Sequence, residues 1–378
     1  MKVYLDNAAT TAMDPEVIEA MLPIMQHQFG NPSSVHSFGR QTRTAIENAR
    51  KNIAKLLNTS PSELFFTSGG TEADNMAIYG SINDIGITHA ITSKIEHHAV
   101  LHTLESLEKQ GKIKLSFVNV DAKGRIDLTH LEELLKSNDR SFVSLMEANN
   151  ELGNLLPLAE VGELCEKYNA IFHSDTVQTM GHYAHDLQQL KVHFITCAAH
   201  KFHGPKGVGF LYVNAKIKIN PMIHGGSQER NMRGGTENVH GIIGLAKALE
   251  IAYRDLDAHQ NHIQGIKTYM IEKLQEEIPG VSFNGTATEN SLYTVLNVHF
   301  PPTENAEMLL FNLDIMGIAV SGGSACTSGS NQGSHVLRGI GVDQNRPSIR
   351  FSFCKNTTKD EIDFTVLKLK EMFLVKAV

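Results

Sequence analysis

"ELFFTSGGTEADNMAIYGSI", residues 63–82, joins two periodicities in one stretch. Its first six residues form a short apolar run of strand type, and its second half spaces apolar residues as a helix does. Between them, Ser68-Gly69-Gly70-Thr71 supplies a turn in which glycine lets the backbone bend sharply. The same unit recurs as far as residue 213. "THAITS" precedes "EHHAVLHTLESLEKQ", "KLSFVNV" precedes "LTHLEELLKS", and "SFVSLMEA" precedes "LAEVGELCEKY". "AIFHSD", "FITCAAH" and "GVGFLYV" complete the series. Strands alternating with helices predict an α/β fold with a mainly parallel sheet covered on both faces. Ligands of such sheets collect at the carboxyl ends of the strands.

Beyond this region the pattern changes. One long helical run, residues 239–278, leads to separated strands at "YTVLNVHF" and "SIRFSF", with the helix "TENAEMLLFNLDIMG" between them. This predicts a large domain over residues 14–255 and a smaller α+β domain made of residues 256–378 together with 1–13. A chain of 378 residues is long for a single core, which agrees with two domains.

Hydrophobic residues make up 41% and charged residues 20%, the balance of a soluble globular protein. The net charge of −7 argues against nucleic acid, which needs a basic face. No apolar run reaches the ~18–20 residues of a membrane span. The start, "MKVYLDNAATTAMDPE", has no apolar signal region, and the four cysteines share no pair spacing, so a reducing cytoplasm is expected. The nineteen histidines include no HExxH and no paired cysteines at ligand spacing, so no metal site is expected.

Three features carry chemistry. The Gly70-Thr71 helix start suits an anion such as a phosphate, or is an ordinary turn with Thr71 as N-cap. Asp175 ends the apolar run "AIFHSD", placed for function or for capping the next helix. Lys201 directly follows "FITCAAH", where a lysine is either solvated or held with a lowered pKa for Schiff-base chemistry. Taken together and in this order, a phosphate cradle, a carboxylate and a lysine are the fittings of pyridoxal 5'-phosphate.

Further motifs carry a resemblance. "YLDNAATT", "GNPSSVHSFGR", "TSGGTEADN", "TSKIEHHAV", "EANNELG", "HSDTVQTMG", "AHKFHGPKGVGFLYV", "HGGSQERNMRGGTEN", "SGGSACTSGS" and "SIRFSF" follow one another along nearly the whole chain. In this it resembles cysteine desulfurases of the NifS/IscS type, class V aminotransferases with the fold-type I architecture of pyridoxal-phosphate enzymes. The resemblance implies that Lys201 binds the cofactor aldehyde and moves the substrate's Cα proton. Asp175 would pair with the ring nitrogen, Gln178 with the ring hydroxyl, and His97 would stack on the ring and assist proton transfer. Gly70, Thr71 and His200 would hold the phosphate, joined by Thr236 of a second subunit in a homodimer. Asn150 would lie beside the cofactor, and Arg350 would clamp the substrate carboxylate, for which a planar guanidinium is suited.

Cys326 stands in "SGGSACTSGS", among glycines and serines rather than in an apolar pattern. The resemblance makes it the nucleophile that takes sulfur from L-cysteine as a persulfide, releases L-alanine and passes the sulfur to an acceptor protein such as an iron–sulfur scaffold. Such a thiol needs reach, which small residues allow. Cys165, Cys197 and Cys354 lie in apolar or strand-like runs and read as packing residues. The alternatives are a selenocysteine lyase, a class V aminotransferase with no need of Cys326, or a scaffold that keeps the cofactor fold without catalysis. One departure from the resemblance bears on binding. Ala198 stands where a phosphate-binding serine is usual, which predicts easier loss of cofactor.

Overall fold

The computed structural model describes residues 1–303, 306–322 and 333–374, so the reading of Cys326 lies outside the described residues. Strand β1 (Val3–Tyr4) is followed by helices α1 (Pro15–His27) and α2 (Ser37–Leu56). Then come β2 (Leu64–Thr67), α3 (Gly70–Asn83), β3 (His89–Thr92), α4 (His98–Lys109), β4 (Lys114–Phe117) and α5 (Leu128–Lys136). The series continues through β5 (Phe142–Ser144), α6 (Leu158–Lys167), β6 (Ile171–Asp175), β7 (Phe194–Ala198) and β8 (Gly209–Val213).

These strands form a seven-stranded sheet in the order β2-β8-β7-β6-β5-β3-β4. Strands β3 to β7 run parallel, whereas β8 is antiparallel to both β2 and β7. Strands β5 to β8 are buried along their whole length, as expected of a sheet with helices on both faces. At Gly209 any Cβ would meet the Cys197 carbonyl oxygen at 2.0 Å, so only glycine lets β8 approach β7 there.

Helices α7 (Val239–Arg254) and α8 (Leu256–Glu277) lead out of this layer. The sequence reads as one helix here, but the structure breaks it at Asp255, whose φ of −108° and ψ of 18° are not helical. Arg254 is drawn onto Glu16 and Asp255 at the break, while the apolar pattern runs on undisturbed, which hides the interruption. The remaining elements are β9 (Ser282–Phe283), β10 (Val295–His299), α9 (Leu309–Ile315), β11 (Ile318–Ala319), α10 (His335–Gly339), β12 (Ser348–Ser352) and α11 (Lys359–Leu374). Strand β10 pairs antiparallel with both β9 and β12, and β1 pairs with β11.

The apolar core divides accordingly. One set of clusters lies under the large sheet, from Val17 to Ile251. Another joins Val3 and Leu5 to residues between Ile263 and Leu369. Residues 5–11 cross from one to the other. Ala8 N donates to Ser352 Oγ at 2.8 Å, and Thr11 N donates to the His200 carbonyl at 2.9 Å. Among the described residues no helix is long and apolar enough to cross a membrane.

Candidate active site

Strands β6 and β7 end in Asp175 and Ala198, and helix α3 starts opposite them at Gly70. The three ends enclose a cavity of about 230 Å³. Its lining includes Gly70, Thr71, His97, Asn150, Asp175, Gln178, His200, Lys201 and Arg350, brought together from across the sequence. Ala8, Ala9, Asp74, Met146, Val177 and Ala198 complete it. Thr236 does not belong to it. That exposed threonine lines a separate cavity with Ser68 and Gly207.

Each side chain is held by its local structure. Gly70 lets the helix start pack closely, since a Cβ there would lie 2.7 Å from Val177 Cγ2 and force that side chain to shift. His97 is the N-cap of α4, and its Nδ1 accepts from Ala99 N at 3.2 Å, which fixes the ring at the helix start. Asp175 Oδ1 accepts from Val177 N at 2.9 Å. Lys201 follows β7 in a short 3-10 turn, and its Nζ donates to the carbonyls of Ala8 at 2.6 Å and Ala9 at 2.9 Å. Gln178 Nε2 reaches the same Ala8 carbonyl at 3.1 Å. His200 Nδ1 lies 3.1 Å from Thr10 Oγ1.

Arg350 comes from β12 in the smaller layer and is almost wholly buried. Its Nη2 lies 2.8 Å from Asp6 Oδ1 and its Nη1 donates to the Asn150 carbonyl at 3.0 Å, while Nε has no hydrogen-bond partner among the described residues. The Arg350 backbone also pairs with Ser321, so this residue borders the segment that carries Cys326.

The floor of the cavity is anionic. Burial, reinforced by Asp74, pushes the Asp175 carboxyl up to about 6, against the opposing pull of His97. Burial also lowers His200, to about 4, with Lys201 and Lys206 acting in the same direction, so His200 is a neutral ring at physiological pH. The sequence reading missed Asp74. The available signal was its position three residues after Thr71 on the same helix, which places both on one face. Glu147 Oε2 lies 2.7 Å from His185 Nε2 and accepts from Thr179 Oγ1, contacts that support the turn following Asp175.

A strand-end lysine and carboxylate sharing one cavity with a helix start define a class of lysine-tethered cofactor enzymes. Comparison with known proteins gives the class its family. The aminotransferase class-V family model matches residues 3–364. A cysteine desulfurase IscS from Dictyoglomus turgidum is 45% identical over 97% of this chain and 93% of its own length. A putative cysteine desulfurase IscS 1 from Bacillus subtilis is 43% identical over 96% of both chains. Among solved structures, a NifS-like protein superposes with a TM-score of 0.90 at 38% identity, covering 98% of this chain and 99% of that one. The chain belongs to the class-V aminotransferase family and, within it, to the cysteine desulfurases, which are pyridoxal-phosphate enzymes.

Proposed function

We propose that this cavity binds pyridoxal 5'-phosphate and L-cysteine, and that Cys326 takes the sulfur. The observation that carries the reading is the convergence of Lys201, Asp175 and Arg350 on one cavity from three separate elements. The residues fit the cofactor. The Asp175 carboxylate suits a protonated ring nitrogen, and the Gly70-Thr71 helix start suits a phosphate. Lys201 suits the aldehyde. When bound, the cofactor draws electrons from the substrate's Cα and so weakens the carbon–sulfur bond.

The chain's own residues do the rest. Arg350 binds the substrate carboxylate through its guanidinium, whose Nε has no partner among the described residues. Lys201 Nζ takes the Cα proton, and His97 assists its transfer. Asn150 and Gln178 orient the ring, while Gly70, Thr71 and His200 hold the phosphate. The Cys326 thiolate then attacks the substrate sulfur. A sulfur–sulfur bond forms and the carbon–sulfur bond breaks with its electron pair left on carbon; protonation of that carbon, and return of a proton from Lys201 to Cα, give L-alanine. The persulfide passes its sulfur to an acceptor protein, an iron–sulfur scaffold or a thiolation partner.

A homodimer completes the site. Ile18, Leu22 and Met25 on α1, with Phe29, Val35 and Phe38, form an exposed apolar face, which marks an interaction surface. The loop bearing Thr236 adjoins it, for Gln228 Nε2 contacts Ser33 Oγ at 3.5 Å. A second copy packed on this face brings its Thr236 toward the first copy's phosphate site. The same reading divides the chain after Asp255, where the helical run breaks, into residues 14–255 and 256–378, with 1–13 joining the latter. It places the protein in the cytoplasm, where thiols stay reduced.

The test is direct. Holoenzyme given L-cysteine should yield alanine and one added sulfur on the peptide bearing Cys326, read by mass spectrometry. Alanine formation with no sulfur on that peptide overturns the assignment of Cys326.

A further inference from the structure

Asp74 lies in the first turns of α3, 1% exposed, and its Oδ1 has no hydrogen-bond partner among the described residues. One polar atom each of Asp74, His97 and Asp175 lies within 4.8 Å of the others. Behind Asp74, His173 Nε2 stands 3.4 Å from its Oδ1, and His173 Nδ1 lies 2.8 Å from Ser144 Oγ. The His173 ring is itself fully buried against Phe142, with ring centroids 6.0 Å apart.

Two buried carboxylates this close repel each other, and removing even one from water is costly unless a cation faces it. Helix capping does not explain Asp74, because it sits four residues inside α3 and accepts no backbone N–H at Oδ1. The convergence instead forms a negative pocket for one positive centre at the cavity floor. We infer that Asp74 is a positioning residue for the cofactor's protonated ring nitrogen, acting through Asp175 as a second counter-charge. The inference rests on the cofactor assignment proposed above. It adds a residue to the ring-nitrogen site, the one buried acidic group in the cavity lining that the sequence reading left without a role.

The mechanism is electrostatic. Asp175 is faced by Asp74 from α3, by His97 ahead of α4 and by His173 on its own strand. Glu96 lies near enough to be perturbed by it, and Lys201, His200 and Arg350 share the cavity. Asp74 strengthens the negative potential at the floor, so a cation bound there is held more firmly. The same repulsion makes Asp175 take up a proton at higher pH when no cation is present, and a neutral Asp175 no longer pairs with the ring nitrogen.

The test dialyses full-length holoenzyme to equilibrium against pyridoxal 5'-phosphate at a series of pH values and reads bound cofactor by absorbance. Wild-type affinity should fall as pH drops through about 6, where Asp175 gains its proton. Asp74→Asn should bind about tenfold more weakly at pH 8, with its fall at acid pH displaced downward by about one unit. The cofactor's own titrations are common to both proteins and cancel in the comparison. Asp74→Ser, which loses the charge in a smaller side chain, should move the profile in the same direction. A uniform loss of affinity at every pH in both variants, with no displacement, means that Asp74 only supports the fold and overturns the inference. A wild type that holds no cofactor at any pH overturns the cofactor reading and the inference with it.

Discussion

Arg350 Nη2 lies 2.8 Å from Asp6 Oδ1, so the proposed clamp for the substrate carboxylate already holds a carboxylate. Asp6 fixes the guanidinium in place and also repels an arriving anion. The two effects separate by substitution. Asp6→Asn keeps an oxygen acceptor and removes the charge, so KM for L-cysteine should fall about threefold, with kcat little changed. Asp6→Ala also removes the anchor and should raise KM. Steady-state kinetics of both variants check this, and a rise of KM in both would show that the charge has no separate effect.

Sulfur should arrive on Cys326 and on no other cysteine. Burial pushes the Cys165, Cys197 and Cys354 thiols up, so each stays protonated and weakly nucleophilic at neutral pH. Cys326→Ala should lower alanine formation from L-cysteine at least about 100-fold while leaving cofactor absorbance intact. Cys354→Ala, the least buried of the other three, should keep near wild-type turnover. Substantial turnover by Cys326→Ala would falsify the persulfide route.

Ala198 presents a methyl to the same cavity as Gly70, Thr71 and His200. If the cavity holds the phosphate as proposed, a serine hydroxyl there would donate to one of its oxygens, a bond worth about 1 kcal/mol or about fivefold in affinity. Ala198→Ser should therefore retain cofactor longer during dialysis. Equal retention by the two proteins would mean that another group already meets that oxygen.

The large sheet was legible because its strands are short, apolar and separated by amphipathic helices, a pattern that local physics alone imposes. Lys201 and Asp175 were legible for the same reason, since each follows directly from a readable strand. Asp6 and Asp74 were not. Asp6 acts through Arg350, 344 positions away, and no periodicity links the two. Asp74 shares a helix face with Thr71 by its spacing, but only tertiary packing decides that this position is turned inward, to 1% exposure. The break at Asp255 was hidden for the opposite reason. Apolar spacing continues through it, and the exposed pairing of Arg254 with Glu16 on a distant helix that accompanies it leaves no local pattern.

Glu96 offers a pH test independent of catalysis. It is 1% exposed, accepting from Ser93 Oγ at 3.0 Å and from Met146 N at 3.1 and 3.0 Å. Burial pushes its carboxyl up to about 8, and the charges of Asp175 and Asp74 add to the rise. The unfolded chain releases this proton near 4.5, whereas the folded protein keeps it to about 8. Between those values the native state binds more protons than the unfolded state, so this group makes stability fall as pH rises, by at most about 1.4 kcal/mol per pH unit. Above about 8 the contribution levels off. Glu96→Gln stays neutral throughout and should gain on the wild type steadily from pH 5.5 to 8.5 in urea unfolding midpoints. Parallel stability curves for the two proteins across that range would show that Glu96 is already ionised in the folded state, with the Ser93 and Met146 bonds sufficient to hold the charge.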